Sequence, residues 1–219
     1  MEVKYIVLIC VAAYLIGSIN FATLIAKLNS KDIRKMGSGN PGTMNVLRTM
    51  GKFWGIIVFF LDSVKGLAFA LIGRFLINGP DNFEMAIILG ACVLLGHIFP
   101  IFDRFRGGKG VATTLGVFIA ISPIVGSITL VILIIMLFGI KYGFIGSILT
   151  VTTFAINATI LCKSSVYAIV IIWLWWALVV FAHRSNIIRL IKGEENTLNL
   201  IKKDENNEDK DNENKEDKE

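Results

Sequence analysis

The chain has 219 residues, 54% of them hydrophobic and 18% charged, with a mean hydropathy of +0.67. One soluble core cannot hide that much apolar surface, and apolar runs near twenty residues recur, which excludes a soluble globular protein and points to a polytopic integral membrane protein. The net charge of +5 is divided: residues 204–219 hold nine acids and three lysines, net −6, leaving the body before them at +11.

Residues 5–26 form the first apolar run, too long for the apolar core of a signal peptide and read as a retained helix. Further runs cover residues 53–77, 83–102, 111–140, 142–161 and 166–182. Basic residues cluster after the first run (Lys27, Lys31, Arg34, Lys35, Arg48, Lys52), the third (Arg104, Arg106, Lys109) and the last (Arg184, Arg189, Lys192, Lys202, Lys203), whereas "NGPDN" after the second run carries none. The positive-inside rule places all three clusters in the cytoplasm. Six single crossings would leave the last cluster outside, so one more pass is required. Residues 111–140 supply it, because one helix of that length would be about 45 Å long against a hydrocarbon core of ~30 Å. Ser122 and Pro123 lie near its midpoint, where proline removes a backbone donor and pushes the preceding residue off helical angles.

Division there predicts an all-α polytopic bundle of seven transmembrane helices, N-terminus outside and C-terminus cytoplasmic. The first piece, residues 111–122, covers only about 18 Å and is expected to be buried against neighbours or to cross a thinned membrane. A single tilted, kinked helix is the alternative. Asp62 and Lys65, three apart in the second run, read as an internal ion pair that neutralises a costly burial rather than as catalytic groups. Trp173, Trp175 and Trp176 read as packing or interfacial aromatics, and Cys10, Cys92 and Cys162 as small hydrophobes in apolar runs. The chain therefore divides into a membrane-embedded body, residues 1–203, and an acidic tail, 204–219, which lacks the apolar residues needed to offset the entropy of ordering and is expected to be disordered.

Three polar segments, 37–48, 96–113 and 183–195, fall on the same predicted side. In "GSGNPGTMNVLR", Gly37, Gly39 and Gly42 permit positive φ and close approach to a ligand, Ser38, Asn40 and Asn45 add neutral hydrogen-bonding groups, and Arg48 can fork onto phosphate oxygens. In the second segment Arg106, Gly107, Gly108, Lys109 and Gly110 run directly into an apolar helix, an arrangement suited to phosphate at a helix N-terminus. It is not a Walker A loop, since Gly110 stands where a magnesium-binding hydroxyl is required. His97, at the inner end of the third run, reads equally as a proton acceptor or as a cap for polar groups at the membrane boundary. In the third segment His183, Asn186 and Arg189 recur at three-residue intervals, sharing one face if the last helix continues past Ala182; Glu194 and Glu195 follow Gly193.

Together these segments resemble the bacterial acyl-phosphate:glycerol-3-phosphate acyltransferase family of integral membrane enzymes. The likeness runs from about residue 14 to 195. It rests on Gly37-Ser38-Gly39-Asn40-Pro41-Gly42 with Asn45 and Arg48, on Gly96-His97 with Phe99-Pro100 and Gly107 to Thr113, on His183 with Asn186 and Arg189, and on "LDSVKG", residues 61–66. The resemblance implies seven spans in the bacterial cell membrane with the active site facing the cytoplasm. It implies an acyl phosphate donor made by a partner enzyme, glycerol 3-phosphate as acceptor, and membrane lipid around the chain, with no metal, cofactor, nucleotide or nucleic-acid partner. It implies Ser38, Asn40, Arg48 and Lys109 at the phosphates, and His183 and Asn186 near glycerol 3-phosphate. The expected catalytic set is His183, Lys109 and Ser38, with Gly37, Gly39, Asn40, Asn45, Arg48, His97, Gly107, Gly108, Asn186 and Arg189 binding substrate. Three departures stand out: Met44 replaces an expected threonine, "KYGFIG" at 141–146 lacks a serine that relatives often carry there, and Ala182 replaces an arginine before His183.

An acyl phosphate is a mixed anhydride with a good leaving group, so orientation of two anions and charge stabilisation suffice and no covalent nucleophile is required. Proton removal stays open between His183, His97 and the donor's own phosphate. The acyl chain is expected to enter laterally from the bilayer. No His-x₄-Asp pair occurs, since Phe102 stands four after His97. A transporter of a phosphorylated small molecule is the rival reading, but polar clusters on one face and no visible inverted repeat argue against it. A scaffold that binds anionic lipid explains the basic clusters and leaves the glycines unexplained.

Overall fold

The computed structural model describes residues 2–77, 81–139, 143–163 and 165–195. The expected acidic tail, Lys141, Lys202, Lys203 and most of "NGPDN" lie outside the described residues. Every regular element among the described residues is helical: α1 (Val3–Gly17), α2 (Phe21–Leu28), α3 (Thr43–Met50), α4 (Lys52–Leu71), α5 (Phe83–Ile98), α6 (Val111–Ile121), α7 (Pro123–Gly139), α8 (Gly143–Leu161), α9 (Val166–Ala182) and α10 (Arg184–Ile191). Short 3₁₀ turns cover Ile33–Lys35 and Ile101–Asp103, and α4 runs on into a π-helical turn, Ile72–Leu76. Three stretches, Lys52–Leu76, Phe83–Asp103 and Gly143–Leu161, are each long and apolar enough to cross a bilayer, and the pairs α1–α2 and α9–α10 pass the same test when each bent pair is taken together.

The first apolar run is not the single straight helix expected. It breaks after Gly17 and bends by 42° before α2, whose start is set by Asn20, its side-chain oxygen accepting from Thr23 N at 2.9 Å. A break strands carbonyls that water cannot reach inside a membrane. Lys65 of α4 takes two of them, its Nζ donating to Gly17 O and Ile19 O, each at 3.2 Å, while Ser18 Oγ donates back to Tyr14 O at 2.9 Å. The last run behaves alike: α9 ends at Ala182, and α10 leaves it at 48°. His183, Asn186 and Arg189 therefore do not share the face of one continuous helix.

The expected division of residues 111–140 is present. Ser122 leaves helical angles at φ −145°, ψ 80°, and α7 starts at Pro123. α6 has 11 residues, only about 16 Å, and nearly all of it is buried. It seats directly on α4 because Gly116 and Gly66 leave room: a Cβ at Gly116 would stand 1.9 Å from Ser63 O, and one at Gly66 2.3 Å from Thr113 O. Packing of this kind, backbone against backbone through small residues, associates helices in lipid where apolar burial alone does not drive it. The C-terminal carbonyls of α6 are met by Arg74, which donates to Ala120 O at 2.6 Å and pairs with Asp81 at 2.8 Å. Trp175 is a packing residue, 3% exposed, with Nε1 donating to Thr114 Oγ1 at 2.9 Å; Trp176 likewise donates to Thr152.

These contacts fix the sense of each long helix. α4 and α6 begin at one end of the bundle and finish near Arg74; α5 starts beside Arg74, since Asn82 N donates to Arg74 O at 2.9 Å, and returns. The end where α6 begins holds the polar segments.

Candidate active site

Loop 37–42 owes its shape to glycine and to one asparagine. Gly37 and Gly39 take φ of 55° and 69°, a region other residues adopt only with strain. Asn45, on α3, accepts from Ser38 N at 2.9 Å and donates to Met36 O at 2.9 Å and Ile33 O at 3.2 Å. Gly37 is essential to that clamp, because a Cβ there would stand 2.4 Å from Asn45 Oδ1. Arg48, one turn beyond Asn45 on α3, lines the same cavity as the loop.

The second loop is tied to the first. Arg34 pairs with Asp103 at 2.5 Å and donates to Arg106 O, and Thr23 Oγ1 also donates to Asp103, at 3.2 Å. Gly107 N donates to Ile98 O at 3.0 Å and Gly108 N to His97 O at 3.1 Å. Those two amides, expected to cradle an anion, are thus occupied. The glycines serve close approach instead: a Cβ at Gly107 would lie 1.9 Å from His97 O, and one at Gly108 2.3 Å from His97 Nε2. The amides left open to a ligand are those of the first turn of α6, where N–H groups lack intrahelical partners, behind Gly110 at φ 83°.

In the third segment His183, 2% exposed, directs Nδ1 at Val179 O, 2.8 Å away. Nδ1 therefore carries the proton and Nε2 offers its lone pair. Gly193, at φ 72°, turns the chain back after α10, so that Glu195 accepts from Asn186 Nδ2 at 2.6 Å and pairs with Arg189 at 2.8 Å. Asn186 Oδ1 in turn accepts from Lys109 Nζ. The chain Lys109–Asn186–Glu195–Arg189 joins the second segment to the third.

All three segments line one cavity of about 450 Å³. Ser38, Asn40, Asn45, Arg48, His97, Gly107, Gly108, Lys109, His183, Asn186 and Arg189 reach its wall; Gly37 and Gly39 do not, and act by shaping the loop behind it. Asp62 is on the wall, while its partner Lys65, 2.7 Å away, lies behind. Among the described residues, the only acidic side chains lining the cavity with the cations Arg48, Arg106, Lys109, Arg184 and Arg189 are Asp62 and Glu195, and Phe59, Leu133 and Phe144 are part of its apolar lining. Burial, then the neighbouring Arg189, pushes Lys109 down to about 8, with Glu195 opposing. Burial, then Lys109, pushes His183 down to about 4, so its ring is neutral near pH 7. Burial also lowers Arg48 from its ordinary value, with Glu195 acting against this. Among the described residues no three His, Cys, Asp or Glu side chains converge on a metal position.

Basic side chains from three separate segments converge in this cavity beside the apolar Phe59, Leu133 and Phe144. A glycerol-3-phosphate acyltransferase family profile matches residues 7–193. The glycerol-3-phosphate acyltransferase of Thermoanaerobacter pseudethanolicus is 43% identical over 198 residues, covering 89% of this chain and 96% of that one. The chain belongs to the glycerol-3-phosphate acyltransferase family. The Aquifex aeolicus member is 40% identical over 84% of this chain and 94% of its own length. The crystal structure of PlsY (YgiH), an integral membrane glycerol 3-phosphate acyltransferase, superposes in its glycerol 3-phosphate form with a TM-score of 0.81 at 35% identity, covering 90% of this chain and 97% of that one. Its lysophosphatidic acid form gives 0.78 at 36% identity, with the same coverage. This is an all-helical, multi-pass membrane protein of that acyltransferase family.

Ser147 and Glu195 are among the wall residues that the sequence pattern does not single out. Ser147 of α8 lines the cavity, one residue beyond the 141–146 stretch searched for a serine. Glu195 folds back through a positive-φ turn that sequence spacing does not reveal, and Gly193 is its local signal.

Proposed function

We propose that this chain transfers a fatty acyl group from acyl phosphate to the 1-hydroxyl of glycerol 3-phosphate, yielding lysophosphatidic acid and phosphate. One observation carries the reading: five cationic side chains from three segments line a cavity that also presents the apolar side chains of Phe59, Leu133 and Phe144. Two phosphate-bearing substrates repel each other, and such a site offsets that repulsion while holding the acyl chain on the lipid side. Ser38, Arg48, Lys109 and the first-turn amides of α6 hold the departing phosphate. His183, Asn186 and Arg189 hold glycerol 3-phosphate, with Asn40 at the loop rim and Asn45 keeping the loop in shape.

The glycerol oxygen attacks the acyl carbonyl, a carbon–oxygen ester bond forms, and the carbonyl–phosphate bond breaks. The hydroxyl proton ends on the released phosphate, so no net proton is produced from the acyl phosphate dianion. His183 accepts a hydrogen bond from that hydroxyl through Nε2. With an ordinary value pushed down to about 4, it orients the nucleophile better than it stores a proton. The bundle is placed in a bacterial cell membrane with seven crossings and the cavity on the cytoplasmic side, supported by the basic clusters around it.

Purified protein supplied with acyl phosphate and radiolabelled glycerol 3-phosphate should form lysophosphatidic acid with one phosphate released per ester. Acyl-coenzyme A and acyl carrier protein thioesters, tested alone, should give none. Failure of folded protein to use acyl phosphate, or equal turnover with a thioester, overturns this donor assignment.

A further inference from the structure

His97 lies behind the glycine loop, 5% exposed, between a buried ion pair and the cavity. Its Nδ1 is 2.9 Å from Lys65 Nζ and 3.4 Å from Asp62 Oδ1. Its Nε2 is on the opposite edge of the ring, against Gly108, where a Cβ would approach to 2.3 Å. A neutral imidazole has one donor and one acceptor, so its two neighbours compete to decide which is which. Were Asp62 to accept from Nδ1–H, Nε2 would face the cavity as a base. Were Lys65 to donate to Nδ1, Nε2–H would face it as a donor.

Lys65 prevails on geometry. Its Nζ donates to the carbonyls of Gly17 and Ile19, each at 3.2 Å, which leaves one N–H for His97, and Asp62 Oδ1 lies 2.7 Å away as the ion-pair partner. It also lies 5.4 Å from the Phe21 ring centroid, the distance of a cation–π contact. Each of these partners favours an ammonium, which has three N–H donors and no lone pair. A nitrogen 2.9 Å from that ammonium must accept, whereas the competing Asp62 contact is 0.5 Å longer.

We infer that Lys65, held by Asp62 and the broken end of α1, is a positioning residue that fixes His97 as a neutral Nε2–H donor directed into the cavity. His97 then serves an anionic oxygen beside Lys109 and is not the base that removes the hydroxyl proton. The two histidines of the chain thereby take opposite tautomers: His183 gives Nδ1–H to Val179 O and presents an acceptor, and His97 presents a donor. The identity of the oxygen rests on the acyl-transfer reading; the tautomer does not.

The chain has only two histidines, so long-range proton–nitrogen correlation spectra of protein carrying ¹⁵N-labelled histidine, in detergent at pH 7.5 without substrate, resolve both. His97→Gln assigns the pair. Nε2–H at His97 and Nδ1–H at His183 are expected, and Nδ1–H or a doubly protonated ring at His97 overturns the inference. In turnover, His97→Gln keeps a donor near the Nε2 position and His97→Asn keeps one only near Nδ1. The glutamine variant should therefore exceed the asparagine variant by roughly 10- to 100-fold, the range for a hydrogen bond to a charged group. Equal or reversed activities, with both variants folded, also overturn it. Because the spectrum is read without substrate, a wrong tautomer and a failed acyl-transfer assay are separate results.

Discussion

Lys109 joins two properties that a surface lysine lacks: it is held by Asn186 from another segment, and burial pushes its ammonium down to about 8. Below that value it is charged and suited to hold phosphate; above it the charge is lost in the free enzyme. A phosphomonoester has a second pKa near ~6, so the substrate itself does not titrate in this range. kcat/KM for glycerol 3-phosphate should be nearly level around pH 7, drop to about half by pH 8, and approach a tenfold loss per pH unit beyond it. Lys109→Arg, which cannot deprotonate, should flatten the alkaline limb whatever its absolute rate, and Lys109→Ala should lose roughly 10²–10³-fold at pH 7.5. An unchanged alkaline limb in the arginine variant would remove Lys109 from this role. Its position at the head of α6 was legible in the sequence, because two glycines, the lysine and a third glycine lead directly into an apolar run. The fate of the Gly107 and Gly108 amides was not legible: which carbonyls lie within reach depends on how α5 ends, and Ile98 and His97 supply them.

At the scale of the helix, the close approach of α4 and α6 decides where the site stands, since α6 carries Lys109 at its start and Thr114, the partner of Trp175, one turn inside. Gly116→Ala places a methyl 1.9 Å from Ser63 O, a backbone atom that cannot rotate away. Overpacking of this kind costs about 1–3 kcal/mol or more. The thermal midpoint in detergent should drop by several degrees, with turnover falling alongside. Gly146→Ala is the matched control, because its Cβ would meet only the Leu133 and Met136 side chains, at 3.3 Å, and the midpoint should scarcely move. Equal midpoints for the two variants would mean that α6 is not seated by Gly116. Helix breaks were legible in part. Ser122-Pro123 announced one, since proline acts through local sterics. Those after Gly17 and at His183 were hidden for different reasons: hydropathy continues through the first, and at the second the apolar run ends in polar residues that a straight or a bent helix would carry equally well; the capping pattern Asn20-x-x-Thr23 was the local sign of the first, and the buried lysine that donates to its carbonyls is 48 positions away from Gly17.

For the whole molecule, the decisive question is how many times the chain crosses the bilayer, and the structure narrows it through helix direction. α6 starts at the cavity and ends at Arg74, where α7 begins directly after Ser122. α7 carries Leu133 on the cavity wall, α8 has Phe144 and Ser147 there in its first turns, and α9 brings Ala182 to it at its last residue. Each of these helices thus reverses the sense of the one before, which supports seven passes although α6 by itself is far shorter than a ~30 Å core. A single kinked helix over 111–140 would instead exchange the sides of everything after it. Lys163, exposed between α8 and α9, and Lys202, in the tail-proximal basic cluster, therefore discriminate the two arrangements. In a background lacking Cys10, Cys92 and Cys162, Lys163→Cys should react with a membrane-impermeant maleimide in intact cells, and Lys202→Cys only after permeabilisation. The opposite pattern would require six crossings, with the third basic segment on the outer face and the cavity unable to gather all three segments on one side.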